Sequence, residues 1–350
     1  MQRKPFGRTS GGMETEKFEL TNRNGCTAVL TDFGASLVSL TVPDRSGRKD
    51  DVTLGFGTPD GYATNGCFIG GTIGRYGNRI AGAAFKLDGQ EIRLTPNNGP
   101  NSLHGGKMGF HLMMWKAEPS ASGDGVVFSR VSPDGEEQFP GSLNVTVEYR
   151  WTDEQILRID YRAVTDKPTV VNLTHHSYFN LAGEGNGDIL GHLLQIDADR
   201  FTPVDDNLIP TGELRPVNGT PLDFTKPCPV GLRIGDPDEQ LRLGRGYDHN
   251  FVLNAGGGAL SRAARMTEPG SGRVMEVWTT EPGIQFYSGN FLDGSLTGKS
   301  DKAYGLRTGF CLEPQHFPDS PNRPEFPSTT LRPGGEYRTV MEYRFSIEKG

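Results

Sequence analysis

Residues 143–151 read LNVTVEYRW, with an apolar residue at every second position and a polar residue between. Successive side chains of an extended strand point to opposite sides of a sheet, so this stretch predicts a strand with one buried face and one wetter face. β-branched and aromatic residues occupy most of its apolar positions, which favours the same prediction. Similar alternation recurs at residues 26–30, 37–42, 170–173 and 273–279.

Turn signals separate these stretches at short intervals. They include PDRSG at 43–47, LDG at 87–89, SPDG at 132–135 and NAGGG at 254–258. The chain has 48 glycines in 350 residues, about double the usual share of roughly 7%. No amphipathic helix and no internal repeat stands out. We therefore expect an all-β protein, one large antiparallel β-sandwich that forms a single domain over residues 1–350.

Composition excludes several classes of partner. The net charge is −7, and no run of Lys and Arg forms a basic stripe, which argues against nucleic acid and against an anionic membrane surface. No segment approaches the roughly 18 apolar residues of a membrane span, and no signal peptide is recognisable. The four cysteines are scattered without metal-type spacing. We expect reduced thiols in a cytoplasmic protein, with the oligomeric state left open.

Two polar segments interrupt the strand-like sequence: THHSYFNL at 174–181 and CLEPQH at 311–316. Apolar and aromatic neighbours perturb the pKa of a titratable group, and an imidazole with a carboxylate can serve as general acid and general base. His176 and Glu313 are therefore candidate catalytic residues. The alternatives are a buried structural histidine and a surface carboxylate. In an extended segment His175 and His176 point to opposite sides, so we expect only one of them in a pocket.

Further segments combine polar and aromatic residues, at 70–80, 101–106, 246–251 and 283–290. Asn78 and Arg79 are potential donors to sugar hydroxyls, and Asp248 is a potential acceptor. Gln285 is a candidate ligand contact, whereas a lone histidine such as His104 is more often structural. The structural alternatives are an ion pair for Arg79, a turn cap for Asp248 and a strand-edge hydrogen bond for Gln285. Polar groups beside aromatic faces suit an amphipathic ligand such as a sugar.

Taken together, the motifs resemble one family from about residue 6 to residue 345: the galactose mutarotases, or aldose 1-epimerases. The motifs are DFGA (32–35), VPD (42–44), GRYGNRI (74–80), NSLHGG (101–106), DGEE (134–137), HSYFNL (176–181), YDHNF (247–251) and EPQ (313–315). The resemblance implies a β-supersandwich. It also implies an isomerase that interconverts the α and β anomers of free aldohexoses such as galactose and glucose, with no cofactor and no metal.

The resemblance also implies residue roles. Glu313 matches the general base and His176 the general acid, which respectively take a proton from the C1 hydroxyl and give one to the ring oxygen O5. Nearby carboxylates are expected to raise the pKa of His176 and keep it protonated. His175 departs from the family pattern, in which asparagine is usual at that position. Five residues match those that bind the substrate: Asn78, Arg79, His104, Asp248 and Gln285.

Two alternatives keep a sugar as the ligand. A hexose-6-phosphate 1-epimerase would need a cluster of basic residues for the phosphate, and Arg75 with Arg79 does not establish one. A non-catalytic carbohydrate-binding protein would keep Arg79 and Asp248 without needing an acid–base pair. The presence of both His176 and Glu313 argues against that second alternative.

Two further alternatives change the chemistry. A glycoside hydrolase needs two carboxyl groups about 5–9 Å apart, and Glu313 with Asp248 is the conceivable pair, but the histidine segments would then have no role. A metal site formed by His104, His176 and Glu313 is less well supported, because their spacing matches no metal motif.

Overall fold

A computed structural model describes residues 1–348 and consists mainly of antiparallel strands. The first strands are β1 (Gln2–Arg8), β2 (Glu14–Thr21), β3 (Thr27–Thr31), β4 (Ser36–Pro43), β5 (Lys49–Asp51), β6 (Thr72–Ile73), β7 (Arg79–Ile80), β8 (Ala84–Leu87), β9 (Gln90–Arg93), β10 (Ser102–Leu103), β11 (Lys116–Pro119), β12 (Gly125–Ser132), β13 (Leu143–Trp151) and β14 (Ile156–Thr165). They are followed by β15 (Thr169–Val170), β16 (Thr174–His175), β17 (Leu193–Ile196), β18 (Arg200–Thr202), β19 (Arg215–Pro216), β20 (Cys228–Pro229), β21 (Asp248–Val252), β22 (Ser261–Thr267), β23 (Arg273–Thr279), β24 (Gly283–Tyr287), β25 (Cys311–Gln315), β26 (Thr330–Leu331) and β27 (Tyr337–Ile347).

Helical structure is sparse in this part of the chain. The two α-helices, α1 (Pro59–Thr64) and α2 (Glu239–Gly244), have six residues each. Asp238 caps α2, because its side chain accepts hydrogen bonds from the first-turn N–H groups of Gln240 and Leu241. Neither α-helix within residues 1–348 has the length and apolar composition that a membrane span requires.

The largest sheet has nine strands in the order β11-β12-β13-β14-β27-β23-β22-β17-β20. Strand β13 covers residues 143–151, as the sequence predicts, and its apolar side chains are buried while Asn144 is exposed. Strand β27 lies in the middle of the sheet, hydrogen-bonded to β14 on one side and to β23 on the other. The register of these long pairs therefore fixes which side chains reach the core.

Two five-stranded sheets complete the main framework, β1 to β5 in sequence order and a second sheet in the order β19-β18-β21-β24-β25. Buried side chains from all three sheets join one hydrophobic cluster that extends in sequence from Phe18 to Phe345. The prediction of an all-β antiparallel sandwich is thereby confirmed, and the extent of the domain over 1–350 stays a prediction. One strand prediction is partly wrong, because only Val170 of residues 170–173 belongs to a ladder strand.

Three neighbouring strands of the second five-stranded sheet carry polar residues on one face. Asn250 of β21 lies opposite Gln285 of β24, which lies opposite Glu313 of β25. The alternate residues, such as Ile284 and Leu312, enter the hydrophobic core. Period-2 alternation therefore puts amides and carboxylates side by side on a rigid surface.

Candidate active site

A pocket of about 220 Å³ opens over the polar face of β21, β24 and β25. It contains all seven residues that the sequence predicts as site residues: Asn78, Arg79, His104, His176, Asp248, Gln285 and Glu313. The structure therefore brings together groups that are up to 235 positions apart in the chain. Their roles stay predictions.

Glu313 and His176 face each other inside this pocket. The distance between Nε2 of His176 and Oε2 of Glu313 is 3.7 Å. Glu313 lies in the middle of β25, and His176 directly follows β16. The main chain of His176 is held on both sides, because its N–H donates to the carbonyl of Gly71 and its carbonyl accepts the N–H of Gly70. The imidazole is thus presented from a fixed backbone.

Gly70 is required at that point for steric reasons. Its φ is 73°, a left-handed conformation that disfavours side chains. A Cβ atom there would lie 2.3 Å from the carbonyl oxygen of Leu37. The glycines at 70 and 71 therefore form a tight turn that packs against the His176 segment, which explains their place in the sequence without any phosphate-binding role.

Burial dominates the ionisation of the catalytic candidates. Glu313 is 3% exposed and His176 is 5% exposed. Loss of water raises the pKa of Glu313 well above its usual value, Asp248 raises it further, and Arg79 acts in the opposite direction. Burial lowers the pKa of His176 to about 4. The prediction that carboxylates raise the pKa of His176 is therefore wrong, because the net shift is downward and burial is its largest cause.

His104 is held by Asn78 through two hydrogen bonds. The N–H of Asn78 donates to Nδ1 of His104 over 3.1 Å, and the N–H of His104 donates to the carbonyl of Asn78 over 3.1 Å. Because Nδ1 accepts, the neutral imidazole carries its proton on Nε2. Burial lowers the pKa of His104 well below its usual value, and the positive charges of His176 and Arg79 add to this effect. His104 is therefore a neutral hydrogen-bond donor.

A cluster of polar and charged residues also lines the pocket. Nε2 of Gln285 donates to Oδ1 of Asp248 over 2.7 Å. Burial raises the pKa of Asp248, whereas Arg79 and the hydrogen bond from Gln285 lower it. Nε of Arg79 donates to Oδ1 of Asn98 over 3.0 Å, which fixes the plane of the guanidinium group. The pocket thus combines fixed donors and fixed acceptors.

Aromatic residues that the sequence analysis did not single out form the remaining walls. Phe68 packs edge-on against His104 at 4.6 Å and lies 5.7 Å from His176 between ring centroids. Its φ of 60° is unusual for a bulky residue, which makes it a marker of a constrained site. Tyr287 also lines the pocket and stacks on Phe291. The neighbouring glycines at 66 and 70 are the only sequence signal that points to Phe68.

His175 lies on the other side of its segment, away from the pocket. Its Nδ1 is 3.3 Å from the hydroxyl of Tyr149, and its Nε2 is 2.7 Å from the hydroxyl of Ser177. Burial lowers its pKa to about 3. The expectation that only one of the two adjacent histidines enters the pocket is confirmed, and it is His176.

The geometry also indicates whether His104, His176 and Glu313 could coordinate a metal ion. Ligand atoms of His104, His176 and Glu313 lie within 4.8 Å of one another, a spacing that a metal ion tolerates. Nδ1 of His104, however, accepts the N–H of Asn78, and Nε2 then carries the proton, so neither nitrogen offers a free lone pair. The arrangement suits hydrogen bonding and proton transfer better than metal coordination.

Sequence comparison agrees with this chemistry. A sequence profile described as "Aldose 1-epimerase" matches residues 16–344. The chain belongs to the aldose 1-epimerase family. The galactose mutarotase of Homo sapiens is 46% identical over 338 residues, which cover 97% of this chain and 96% of that protein. The aldose 1-epimerase of Escherichia coli is 41% identical over 331 residues, which cover 94% of each chain.

Solved structures of aldose 1-epimerase relatives share the fold. A homologue from C. elegans has a TM-score of 0.87 at 33% identity, covering 96% of this chain and all of that one. Galactose 1-epimerase from Lactobacillus acidophilus also has a TM-score of 0.87, at 27% identity and 99% coverage of both chains. The resemblance drawn from the motifs is thus confirmed, together with the isomerase class and the sugar substrate that it implies.

Proposed function

We propose that this aldose 1-epimerase interconverts the α and β anomers of free aldohexoses such as galactose and glucose. Glu313 serves as general base and His176 as general acid. The observation that carries the proposal is the buried pair of Glu313 and His176, with 3.7 Å between Oε2 and Nε2. The pocket around this pair also contains hydrogen-bond donors and acceptors for sugar hydroxyls. The name of the human relative, galactose mutarotase, supports galactose as a substrate.

Glu313 and His176 together accept and donate every proton that moves in the reaction. Glu313 as carboxylate takes the proton of the C1 hydroxyl while protonated His176 gives one to O5, and the C1–O5 bond breaks. The products are an open-chain aldehyde, a protonated Glu313 and a neutral His176. After rotation about the C1–C2 bond, His176 takes the proton back from O5 as the oxygen attacks C1, and Glu313 returns its proton to the C1 oxygen. Each positioned transfer contributes about 10²–10⁴ in rate.

The perturbed pKa values favour this sequence of transfers. A raised pKa makes the Glu313 carboxylate a stronger base, and a lowered pKa makes the protonated His176 a stronger acid. Burial favours the neutral pair, in which Glu313 is protonated and His176 is not, and this is also the proton distribution reached when the ring is open. Hydrogen bonds from bound hydroxyls to Glu313 favour the ionised starting pair. Burial therefore lowers the free energy of the open-chain stage relative to the start.

The remaining site residues hold the sugar. Nε2–H of His104 donates to O5 or to an adjacent hydroxyl, where it stabilises the negative charge that develops as the bond breaks. Asp248 accepts from sugar hydroxyls, while Gln285 and Asn78 offer amide donors. The Arg79 guanidinium adds a fixed positive charge close to the two carboxylates. Tyr287 and Phe68 cover the apolar faces of the ring.

Free sugars fit the pocket better than sugar phosphates do. Among the residues that line it, Arg79 is the one Lys or Arg side chain. The guanidinium of Arg75 is buried and donates to the hydroxyl of Ser132 and to the carbonyls of Ser132, Pro133 and Pro140. Arg75 is therefore occupied structurally and leaves no basic pair for a phosphate group.

We propose the cytoplasm as the cellular setting of the protein. All four cysteines are free, and Cys26, Cys228 and Cys311 are buried. A reducing compartment such as the cytoplasm keeps such thiols intact. The negative net charge supports a protein that acts without nucleic acid.

Polarimetry tests the proposal directly. Freshly dissolved α-D-galactose and α-D-glucose are followed with wild type, Glu313→Gln and Glu281→Gln. Glu281 is a matched control, since it is a buried glutamate paired with a histidine, His316, and does not line the pocket. We expect acceleration by wild type and by Glu281→Gln, and a loss of about 10²–10⁴ in kcat for Glu313→Gln. Full activity of Glu313→Gln would reject Glu313 as the base.

A further inference from the structure

Gln315 belongs to the EPQ motif at 313–315, yet it does not line the pocket. It lies two residues after Glu313 on β25, so its side chain is on the same face of the sheet. Its side chain is fully buried. Nε2 of Gln315 donates to Oε1 of Gln285 over 3.3 Å and to Oδ1 of Asn250 over 3.2 Å. Gln315 is therefore connected to the pocket through Gln285.

These contacts form a chain of hydrogen bonds with a defined direction. The carboxylate of Asp248 only accepts, so Gln285 must turn its Nε2 toward Asp248. Oε1 of Gln285 then faces Gln315, which must present a donor. If the Gln315 amide were reversed, its oxygen would face the oxygens of both Gln285 and Asn250. The hydrogen bonds among Asp248, Gln285, Gln315 and Asn250 therefore form with one orientation of each glutamine amide.

Two side-chain atoms at the ends of this series of hydrogen bonds have no partner among the described residues. Oε1 of Gln315 and Nδ2 of Asn250 are buried and have no hydrogen-bond partner in the described part of the protein. A buried polar atom without a partner costs free energy, so this arrangement is not the best one for stability. By contrast, Gln240 is buried with both ends of its amide bonded to the main chain of Val204. Gln240 shows how a glutamine that serves structure alone is satisfied.

We propose that Gln315 is a positioning residue for sugar binding, which acts by fixing the amide orientation of Gln285. This inference rests on the proposed function. With Oε1 of Gln285 engaged by Gln315, one hydrogen of the Gln285 Nε2 group goes to Asp248 and the other is directed to the sugar. Asp248 and Gln285 then present one acceptor and one donor side by side, which matches two neighbouring hydroxyls of a pyranose. Without Gln315, the Gln285 amide alternates between two orientations. In one of them it offers no N–H donor to the sugar.

A double-mutant cycle tests the inference. The KM and kcat for α-D-galactose are measured for wild type, Gln285→Met, Gln315→Met and the double variant, with Gln240→Met as the matched control. Methionine keeps the length of glutamine and removes its hydrogen bonds. If Gln315→Met does not fold, Gln315→Leu replaces it in the cycle.

We expect Gln315→Met to raise KM about three- to tenfold while kcat changes less than about twofold, which corresponds to one oriented hydrogen bond. In the Gln285→Met background the same substitution should leave KM unchanged, because its effect passes through Gln285. Gln240→Met should lower thermal stability without moving KM. The inference is overturned if Gln315→Met behaves like Gln240→Met, or if its effect on KM is undiminished in the Gln285→Met background.

The same experiment separates this inference from the proposed function. Wild type without any acceleration of mutarotation would overturn the proposed function and the inference with it. An active wild type in which Gln285→Met raises KM and Gln315→Met does not would overturn the inference alone.

Discussion

Asn78 and His104 are each in a left-handed backbone conformation, with φ of 60° and 51°, and each donates its main-chain N–H to the other residue. The hydrogen bond to Nδ1 fixes the proton of His104 on Nε2. The strained backbone at both positions is therefore compensated by a contact that sets the tautomer of a pocket histidine. Two predictions about His104 depend on this relationship.

Two substitutions of His104 should distinguish the roles of its two ring nitrogens. In His104→Asn, the side-chain oxygen replaces Nδ1 as the acceptor for the N–H of Asn78, and the donor toward the sugar is lost. We expect near-wild-type stability and a fall in kcat of about 10²–10³. His104→Ala should in addition lower the free energy of unfolding by about 1–3 kcal/mol, because the buried N–H of Asn78 loses its partner. Denaturant titration and polarimetry give both quantities, and equal stability of the two variants would contradict the prediction. In ¹⁵N NMR spectra, His104 should be the neutral Nε2–H tautomer at pH 6.5 and above, because its pKa is lowered well below that value.

The pH dependence of kcat/KM follows from the Glu313–His176 pair, which must hold one proton to act. Below the pKa of His176, about 4, both groups are protonated and no base is available. Above the raised pKa of Glu313, both have lost their protons and no acid is available. We therefore expect a bell-shaped profile with an acid limb well below pH 6.5 and a basic limb well above pH 4.5, measured by polarimetry against the spontaneous rate. An acid limb near pH 6.5 would contradict the assignment of the lowered pKa to His176.

His176→Asn should remove the general acid and keep the fold. The substitution leaves an uncharged polar side chain of smaller size at a site whose main chain is held by Gly70 and Gly71. We expect a loss of about 10²–10⁴ in kcat with a smaller change in KM. His175→Asn is the matched control, since the adjacent histidine lies outside the pocket, bonded to Tyr149 and Ser177. Comparable losses of kcat in the two variants would show that the effect is structural.

Asp248→Ala should act mainly on substrate binding. Removal of a charged acceptor costs about 1.5–3 kcal/mol, so we expect KM to rise about ten- to a hundredfold. Asp248 also raises the pKa of Glu313, so its removal should move the basic limb of the pH profile to lower pH. Asp248→Asn, which keeps the shape and removes the charge, should produce the same shift of the limb. A basic limb that stays in place in both variants would refute the charge interaction.

Outside the pocket, His316 and Glu281 form a second histidine–glutamate pair, with 2.5 Å between Nδ1 and Oε2. Burial lowers the pKa of His316, but the charge and hydrogen bond of Glu281 outweigh it and the net shift is upward. A raised folded-state pKa stabilises the protein fully below pH 6.5, and this stabilisation is lost as pH rises through the folded-state value. We expect Glu281→Gln to lower the free energy of unfolding by about 1–3 kcal/mol near pH 6 and by less near pH 9. Denaturant titrations whose difference between the two proteins is independent of pH would contradict this.

The sequence was sufficient for those features that depend on local pattern. Alternation at 143–151 predicted β13 residue by residue, because each buried side chain is two positions from the next. All seven site residues predicted from the sequence line the pocket, because each stands in a short segment where polar and aromatic residues occur together. The separation of His175 from His176 followed from the same alternation.

Other features depend on packing between distant segments. The pKa of His176 was mispredicted because the loss of water in the pocket is visible only after Phe68, Tyr178 and Tyr287 have been brought around it. Strand β15 stops at Val170 where the sequence pattern continues, since the following residues leave the ladder for isolated contacts such as the bridge between Asn172 and Tyr76. The tautomer of His104 depends on a hydrogen bond across 26 positions.

The central position of β27 has a consequence for the synthesis of the protein on the ribosome. β14 and β23 each pair with β27, and both precede it in the chain. While the ribosome is still making residues 280–336, these two strands have free edges in a nascent chain, and a free edge is a template for pairing with other molecules. Concentrated synthesis should therefore favour aggregation of incomplete chains, and a chaperone that shields strand edges should raise the yield of active enzyme.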